Sequence, residues 1–256
     1  MPCTEAFPSA ALHSGGLHRE HAMHSLDAYL QQHYLEAAHF AAHCGIDPAE
    51  LDALIAGQSI PAPSYVVSGG TTVHSAVFGA LPAPGARDGR YFHPAMAPWV
   101  ARARHLRASF GDAAVPERMR DMFARNLRTA LARCDRTLWR LPDSFDADGA
   151  ERSAGLERRL QAMWAHFLQG TYGLCVAMPN DEAAIAYKDI LQEKLVALSD
   201  NGSRERFDAG ERERLLQLID AYAQASMPFS PVEFPRSSRK RLVDDLRARL
   251  LASGNA

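Results

Sequence analysis

The sequence predicts a mainly α-helical protein, with an N-terminal helix-turn-helix and a small β-ribbon followed by a C-terminal helical bundle. Three observations predict it. Apolar residues recur at helical spacing through every long stretch beyond residue 90, as in Met119, Phe123, Leu127, Leu131 and Cys134. Helix-start signals stand where such stretches begin, notably Asp47-Pro48-Ala49-Glu50 and Asp208-Ala209-Gly210-Glu211. β-rich runs are confined to Ser64-Tyr65-Val66-Val67 and to residues 71–78.

Taken in order, residues 1–23 mix Gly, Ser, Pro and His without apolar periodicity and read as a flexible tail. A module over residues 24–80 follows. Leu26, Tyr29 and Leu30 form the first apolar face, and an Ala-rich helix over residues 35–44 stops at Gly45. Asp47 then serves as N-cap, Pro48 as first helical residue and Glu50 as the third residue of a capping box. Leu51, Leu54 and Ile55 face inward, Gly57 closes that helix, and Ser68-Gly69-Gly70 suits a hairpin turn. Residues 81–90, with Pro82, Pro84, Gly85 and Gly89, read as a linker.

The bundle domain occupies residues 91–252. Its helices are marked by Trp99 and Leu106, by the stripe of residues 116–139, and by Leu156, Leu160, Met163 and Phe167 ending near Gly170. Further helices run from an Asn180 cap through Leu198, from the Asp208 capping box through Tyr222, and from Ser237 or Ser238 through Leu250. Pro228, Pro231 and Pro235 keep the segment between the last two extended.

Of the 256 residues 47% are hydrophobic and 23% charged, which excludes a disordered or fibrous chain. No stretch approaches the roughly 20 apolar residues of a membrane span, and Met1-Pro2-Cys3-Thr4-Glu5 does not open a secretory signal. A cytoplasmic protein is expected. Cys3, Cys44, Cys134 and Cys175 are too scattered for a cysteine zinc site and read as reduced thiols.

Charge is segregated. Residues 25–65 hold Asp27, Glu36, Asp47, Glu50 and Asp52 and no Lys or Arg, whereas residues 91–140 hold ten Arg against four acids. The two stretches suit complementary surfaces, within one chain or between subunits of a homo-oligomer. The second helix of the helix-turn-helix exposes Glu50 and Asp52 and no base, so it would repel phosphate, and nucleic acid is not an expected partner.

Few groupings suit chemistry. His39 and His43, spaced i,i+4 on a helix beside Cys44, supply only two metal ligands, and no metal is assigned. The tail histidines His18, His21 and His24 lie three apart. Ser68-Gly69-Gly70-Thr71-Thr72 would present amides to a phosphate, against the plainer reading of a turn. The nucleotide-binding and hydrolase glycine motifs are absent, and no cofactor is assigned. The densest unit is the block 164–175, in which His166, Tyr172 and Cys175 are the candidate catalytic residues, with Glu182 and Lys188 on the next helix. A Cys nucleophile there needs a base within hydrogen-bond reach. The plainer reading is a buried Cys and a helix end built on Gly170 and Gly173.

Ala37 to Asp47 and Ile60-Pro61-Ala62-Pro63 resemble the helix-turn-helix of the mercury-resistance-regulator and excisionase families. His33-Tyr34, the run 60–67, Tyr91-Phe92-His93-Pro94 before Trp99, and Gly170-Thr171-Tyr172-Gly173-Leu174-Cys175 together resemble domain-of-unknown-function family 6058, over about residues 25–250. Members of that bacterial family are often labelled natural-product biosynthesis proteins. The resemblance implies a biosynthetic context and carries over no catalytic residue. The first expectation is an accessory or enzymatic component of specialised-metabolite biosynthesis, acting on a small-molecule or carrier-bound substrate. A helix-turn-helix regulator and a non-catalytic interaction module stand beside it.

Overall fold

A computed structural model describes residues 25–252. The expected tail, with its histidines and Cys3, lies outside them. Helix α1 (Leu26–His33) is capped by Ser25 and buries Leu26, Tyr29 and Leu30. Helices α2 (Ala37–His43) and α3 (Pro48–Ala56) follow. Asp47 caps α3 by accepting from the Glu50 amide at 2.8 Å. The reciprocal half of that capping box is not made, because the Glu50 carboxylate turns to Arg107 at 2.7 Å.

The chain has a true sheet, which corrects the expectation of a mainly α protein with only a β-ribbon. Strands β1 (Leu35–Glu36), β2 (Tyr65–Ser68), β3 (Thr72–Ser75), β4 (Gly79–Pro82) and β5 (Gly89–Phe92) form one antiparallel sheet in the order β1-β5-β2-β3-β4. The expected hairpin is present, with Ser68 paired to Thr72. Residues 81–90, whose prolines and glycines have the composition of a linker, instead belong in part to β4 and β5. Pro82 ends the edge strand β4, where a missing amide is tolerated, and Gly89 opens β5 between β1 and β2. Strand β1 is too short to show alternation and is held only by its pairing with β5.

Beyond the sheet lie α4 (Ala97–Phe110), α5 (Val115–Thr137), α6 (Ser153–Leu168), the short α7 (Thr171–Cys175), α8 (Glu182–Ser199) and α9 (Ala209–Ala225). A π-helical turn over Lys240–Asp245 runs into α10 (Leu246–Ala252). Asp181, one residue after the expected Asn180, caps α8 at 2.8 Å. The box at Asp208 and Glu211 is complete, and Ser237 accepts from the Lys240 amide at 3.0 Å. Trp99, Phe123, Trp164 and Phe167 interlock at centroid distances of 4.6–5.9 Å where α4, α5 and α6 meet. One apolar core runs from Leu26 and Tyr65 through this cluster to Phe229, so sheet and helices share it. A second cluster joins α8, α9 and the last helix through Leu195, Leu215, Ile219, Leu242 and Leu246.

Two features fasten the N-terminal unit to the helices. The first is close approach of backbone. Gly170 ends α6 in the left-handed region at φ 80°, and a β-carbon there would lie 2.5 Å from the Ala62 carbonyl oxygen. At Gly173 a β-carbon would lie 2.4 Å from Ser64 Oγ. The bare backbone lets the Ala62 amide donate to the Leu168 carbonyl at 2.9 Å.

The second is a buried carboxylate. Glu233, 1% exposed, accepts from Tyr65 Oη at 2.6 Å, Ser75 Oγ at 2.7 Å and Ser230 Oγ at 2.8 Å. Beside it Tyr34 Oη donates to the Gly173 carbonyl at 3.0 Å and Tyr29 Oη to the Pro228 carbonyl. Burial lifts the Glu233 carboxyl above its ordinary value of 4.5, against the opposing effect of its three hydroxyl partners.

Two outcomes follow for stability in urea. Gly170→Ala should cost about 2–4 kcal/mol, through a left-handed alanine and a backbone clash, and a loss within experimental error would show that the contact can relax. Glu233→Ala should also cost about 2–4 kcal/mol, since three buried hydroxyls lose their acceptor. A carboxyl raised on folding favours the folded state least when ionised, so wild type should lose stability relative to Glu233→Gln as pH rises from the ordinary carboxylate value through the raised one. Parallel pH profiles for the two proteins would contradict it.

Candidate functional site

The Gly170 turn lets the chain leave α6 and restart at once as α7, which lies beside α8. These three elements, the turn after β3 and residues 229–241 enclose a cleft of about 730 Å³. His166, Tyr172 and Cys175 all line it, together with Lys188, Asp189 and Gln192 of α8. Tyr172 and Cys175 are buried, and His166 is exposed on the last turn of α6. Glu182 is elsewhere. It is buried against α4 and α5, accepting from Arg102 at 3.1 Å and Asn126 at 3.2 Å.

Lys188 organises the polar part of the cleft. It is 4% exposed, and its ammonium donates to Gln192 Oε1 at 2.7 Å and Asp189 Oδ1 at 3.3 Å. Gln192 Oε1 also accepts from Tyr222 Oη at 3.1 Å, and that hydroxyl lies 2.8 Å from Ser238 Oγ. Burial disfavours the charge on Lys188, but the Asp189 carboxylate and the polar groups around it more than offset this and keep the ammonium protonated. Burial pushes the Cys175 thiol up, with Lys188 opposing. Among the described residues no hydrogen bond joins Cys175 to His166, so the resting thiol has no base in place.

Tyr172 is the exception to this saturation. Its hydroxyl is buried and makes no hydrogen bond among the described residues. Burial raises its phenol well above the ordinary value, and the Asp189 carboxylate beside it acts the same way, although the pair falls short of hydrogen-bonding geometry. The site thus holds one satisfied cation and one unsatisfied donor, an arrangement suited to gripping an acceptor oxygen. A cavity of about 380 Å³ between α8 and α9 is lined by leucines and by charged side chains in like measure, and its Arg204 and Glu211 are already paired at 2.8 Å.

The wall from β3 went unread in the sequence. Ala76, Val77 and Phe78 enter the cleft directly after Ser75, and Phe229 directly before Ser230, so both flank hydroxyls held by Glu233. The Ser230-Pro231-Val232-Glu233 spacing has the S-x-x-E form of a capping box and was the available signal.

Other candidates resolve differently. The Gly69 and Gly70 amides donate to the Asp88 carboxylate at 3.1 and 2.7 Å, so an internal anion fills the cradle considered for phosphate. His39 and His43 are exposed, and no group of three or more His, Cys, Asp or Glu suited to a metal occurs among the described residues. Glu50 pairs with Arg107 and, at 3.8 Å, Arg104 of α4, and Asp52 with Arg90 of β5 at 2.6 Å. Of the acidic stretch, Glu50 and Asp52 are therefore matched by α4 and β5, while Arg128 of α5 pairs with Glu151 and Glu157.

No helix among the described residues is long and apolar enough to cross a membrane. No curated protein and no solved structure matches the chain. Residues 119–251 match the family of unknown function DUF6058. That stretch covers more than half of the chain and carries every cleft residue named above except the β3 wall, and the protein belongs to this family.

Proposed function

We propose that the cleft between α6, α7 and α8 is where this protein takes a small-molecule or carrier-bound substrate, as a component of bacterial specialised-metabolite biosynthesis. The observation that carries the site is the unpartnered hydroxyl of Tyr172. A buried donor left without an acceptor costs roughly 1–3 kcal/mol, and nearly all such groups in native proteins are satisfied. A bound ligand that supplies the acceptor accounts for its retention. The cleft volume of about 730 Å³ falls within the range of small-molecule sites. The biosynthetic setting is supported by the family resemblance alone.

The chemistry this geometry favours is recognition and polarisation of an acceptor oxygen by Tyr172, with the Lys188 ammonium as the fixed positive charge nearby. Thiolate attack by Cys175 is not prepared in the resting protein, since burial keeps the thiol protonated. His166 stands at the rim, placed to meet a ligand as it enters.

The test is Tyr172→Phe. If the hydroxyl is unpaired in the free protein, the variant should be more stable than wild type by about 1 kcal/mol in urea unfolding. Carbonyl-bearing fragments that bind wild type in ligand-observed NMR should bind the variant about tenfold more weakly, the equivalent of one hydrogen bond. A variant less stable than wild type, with unchanged fragment binding, would place the hydroxyl in a structural role and sink the proposal.

A further inference from the structure

The charges around the cleft do not balance. Four cationic side chains line it, namely Arg159, Lys188, Arg236 and Arg241, against Asp189 and Glu193. Arg159 is spoken for by Asp143 at 3.0 Å and Glu193 at 2.8 Å, and Lys188 by Asp189. The other two form no direct ion pair among the described residues, although the Glu233 carboxylate acts on Arg236 from a longer range. Arg236 is exposed, with its guanidinium 5.8 Å from the centre of the Phe78 ring. Among the described residues Arg241 has no side-chain hydrogen-bond partner, and its Nε is buried. Leaving a charged donor buried without a partner is more costly than leaving a neutral one.

The backbone under Arg241 is unusual as well. It lies in the π-helical turn Lys240–Asp245, where Lys240 pairs with Asp245 five residues on, the same step as the backbone hydrogen bonds of that helix. Such turns are rare and gather at functional sites. Here Leu242 and Val243 fill the core while Arg241 lines the cleft. The Nε edge of a guanidinium, with its neighbouring Nη, is one of the two faces that grip a carboxylate or phosphate through paired hydrogen bonds. Met163, Val196 and Phe229 line the same space and offer apolar surface to the rest of a ligand.

We infer that the ligand of this cleft is an amphiphilic anion, whose carboxylate or phosphate group is held by Arg241 and Arg236 while its apolar body lies on Met163, Val196 and Phe229. The inference rests on the cleft being the binding site. It adds the charge of the ligand and the residues that read it, separately from the acceptor oxygen facing Tyr172.

Phenyl phosphate, benzoate and the neutral benzyl alcohol, titrated into the full-length protein by ligand-observed NMR, test it. At least one anion should bind wild type tenfold or more tightly than benzyl alcohol, and raising salt should weaken it. The stronger of phenyl phosphate and benzoate tells which anion the site prefers. Arg241→Gln should remove most of that preference, Arg241→Lys should restore part of it, and Arg236→Gln, at an exposed side chain, should reduce it without lowering the melting temperature. Benzyl alcohol should bind all four proteins alike. Anions that bind no better than benzyl alcohol, or equally well to Arg241→Gln, would overturn the inference. If benzyl alcohol then still responds to Tyr172→Phe, the cleft survives as a site for a neutral ligand; if none of the three probes binds, the cleft reading falls with it.

Discussion

The buried carboxylate of Glu233 is the constraint on which the rest of the arrangement hangs. A single carboxylate gathers hydroxyls from β2, β3 and the turn at residues 230–233 after α9, which are separated by as many as 168 residues. Each of those hydroxyls would be expensive to bury alone, and so would the carboxylate. Held together, they fix two pieces of chain whose next residues turn into the cleft. The Tyr29, Tyr34 and Tyr65 rings pack edge to face around this point, and Tyr34 extends the hydrogen bonding to α7 itself. The position of the cleft wall is thus set by polar pairing, while the helices behind it are set by apolar packing.

Gly170 and Gly173 work on the other side of the same space. Their role is to let the backbone of residues 62–64 come close, and the consequence is that α7 is pressed into the middle of the protein with Tyr172 and Cys175 buried on it. A tyrosine in such a place normally finds an acceptor. Here Lys188 takes Asp189 and Gln192, Tyr222 takes Gln192 and Ser238, and Tyr172 is left over. Local stability is given up at the point where the cleft is deepest in polar groups, a compromise common at functional sites.

How much of this was legible in the sequence varies by the range of the forces involved. The stripe of α5 and the caps at Asp47, Asp208 and Ser237 are local, and the sequence displays them directly. The grouping of His166, Tyr172 and Cys175 was readable because a helix end and a one-turn helix keep them near each other along the chain. The sheet was not. A two-residue strand such as β1 has no periodicity to read, and β5 gains its identity only from partners at Leu35 and Tyr65. Glu233 was legible only in its local pairing with Ser230, and nothing in a glutamate between prolines shows that Tyr65 and Ser75 will meet it. The charge segregation was visible, but its outcome, Glu50 on Arg107 and Asp52 on Arg90, depended on how α3 packs.

The long sequence separation of the Glu233 contacts also orders events in time. Contacts between distant segments form only after the intervening chain has been made and the entropy of closing so large a loop has been overcome. During synthesis Tyr65 and Ser75 leave the ribosome well before Glu233 does, and until then their hydroxyls must be satisfied by water. The cleft wall therefore cannot be fixed until residue 233 has been made, and a nascent chain interrupted before it has the helices of the site without the carboxylate that holds their wall in place.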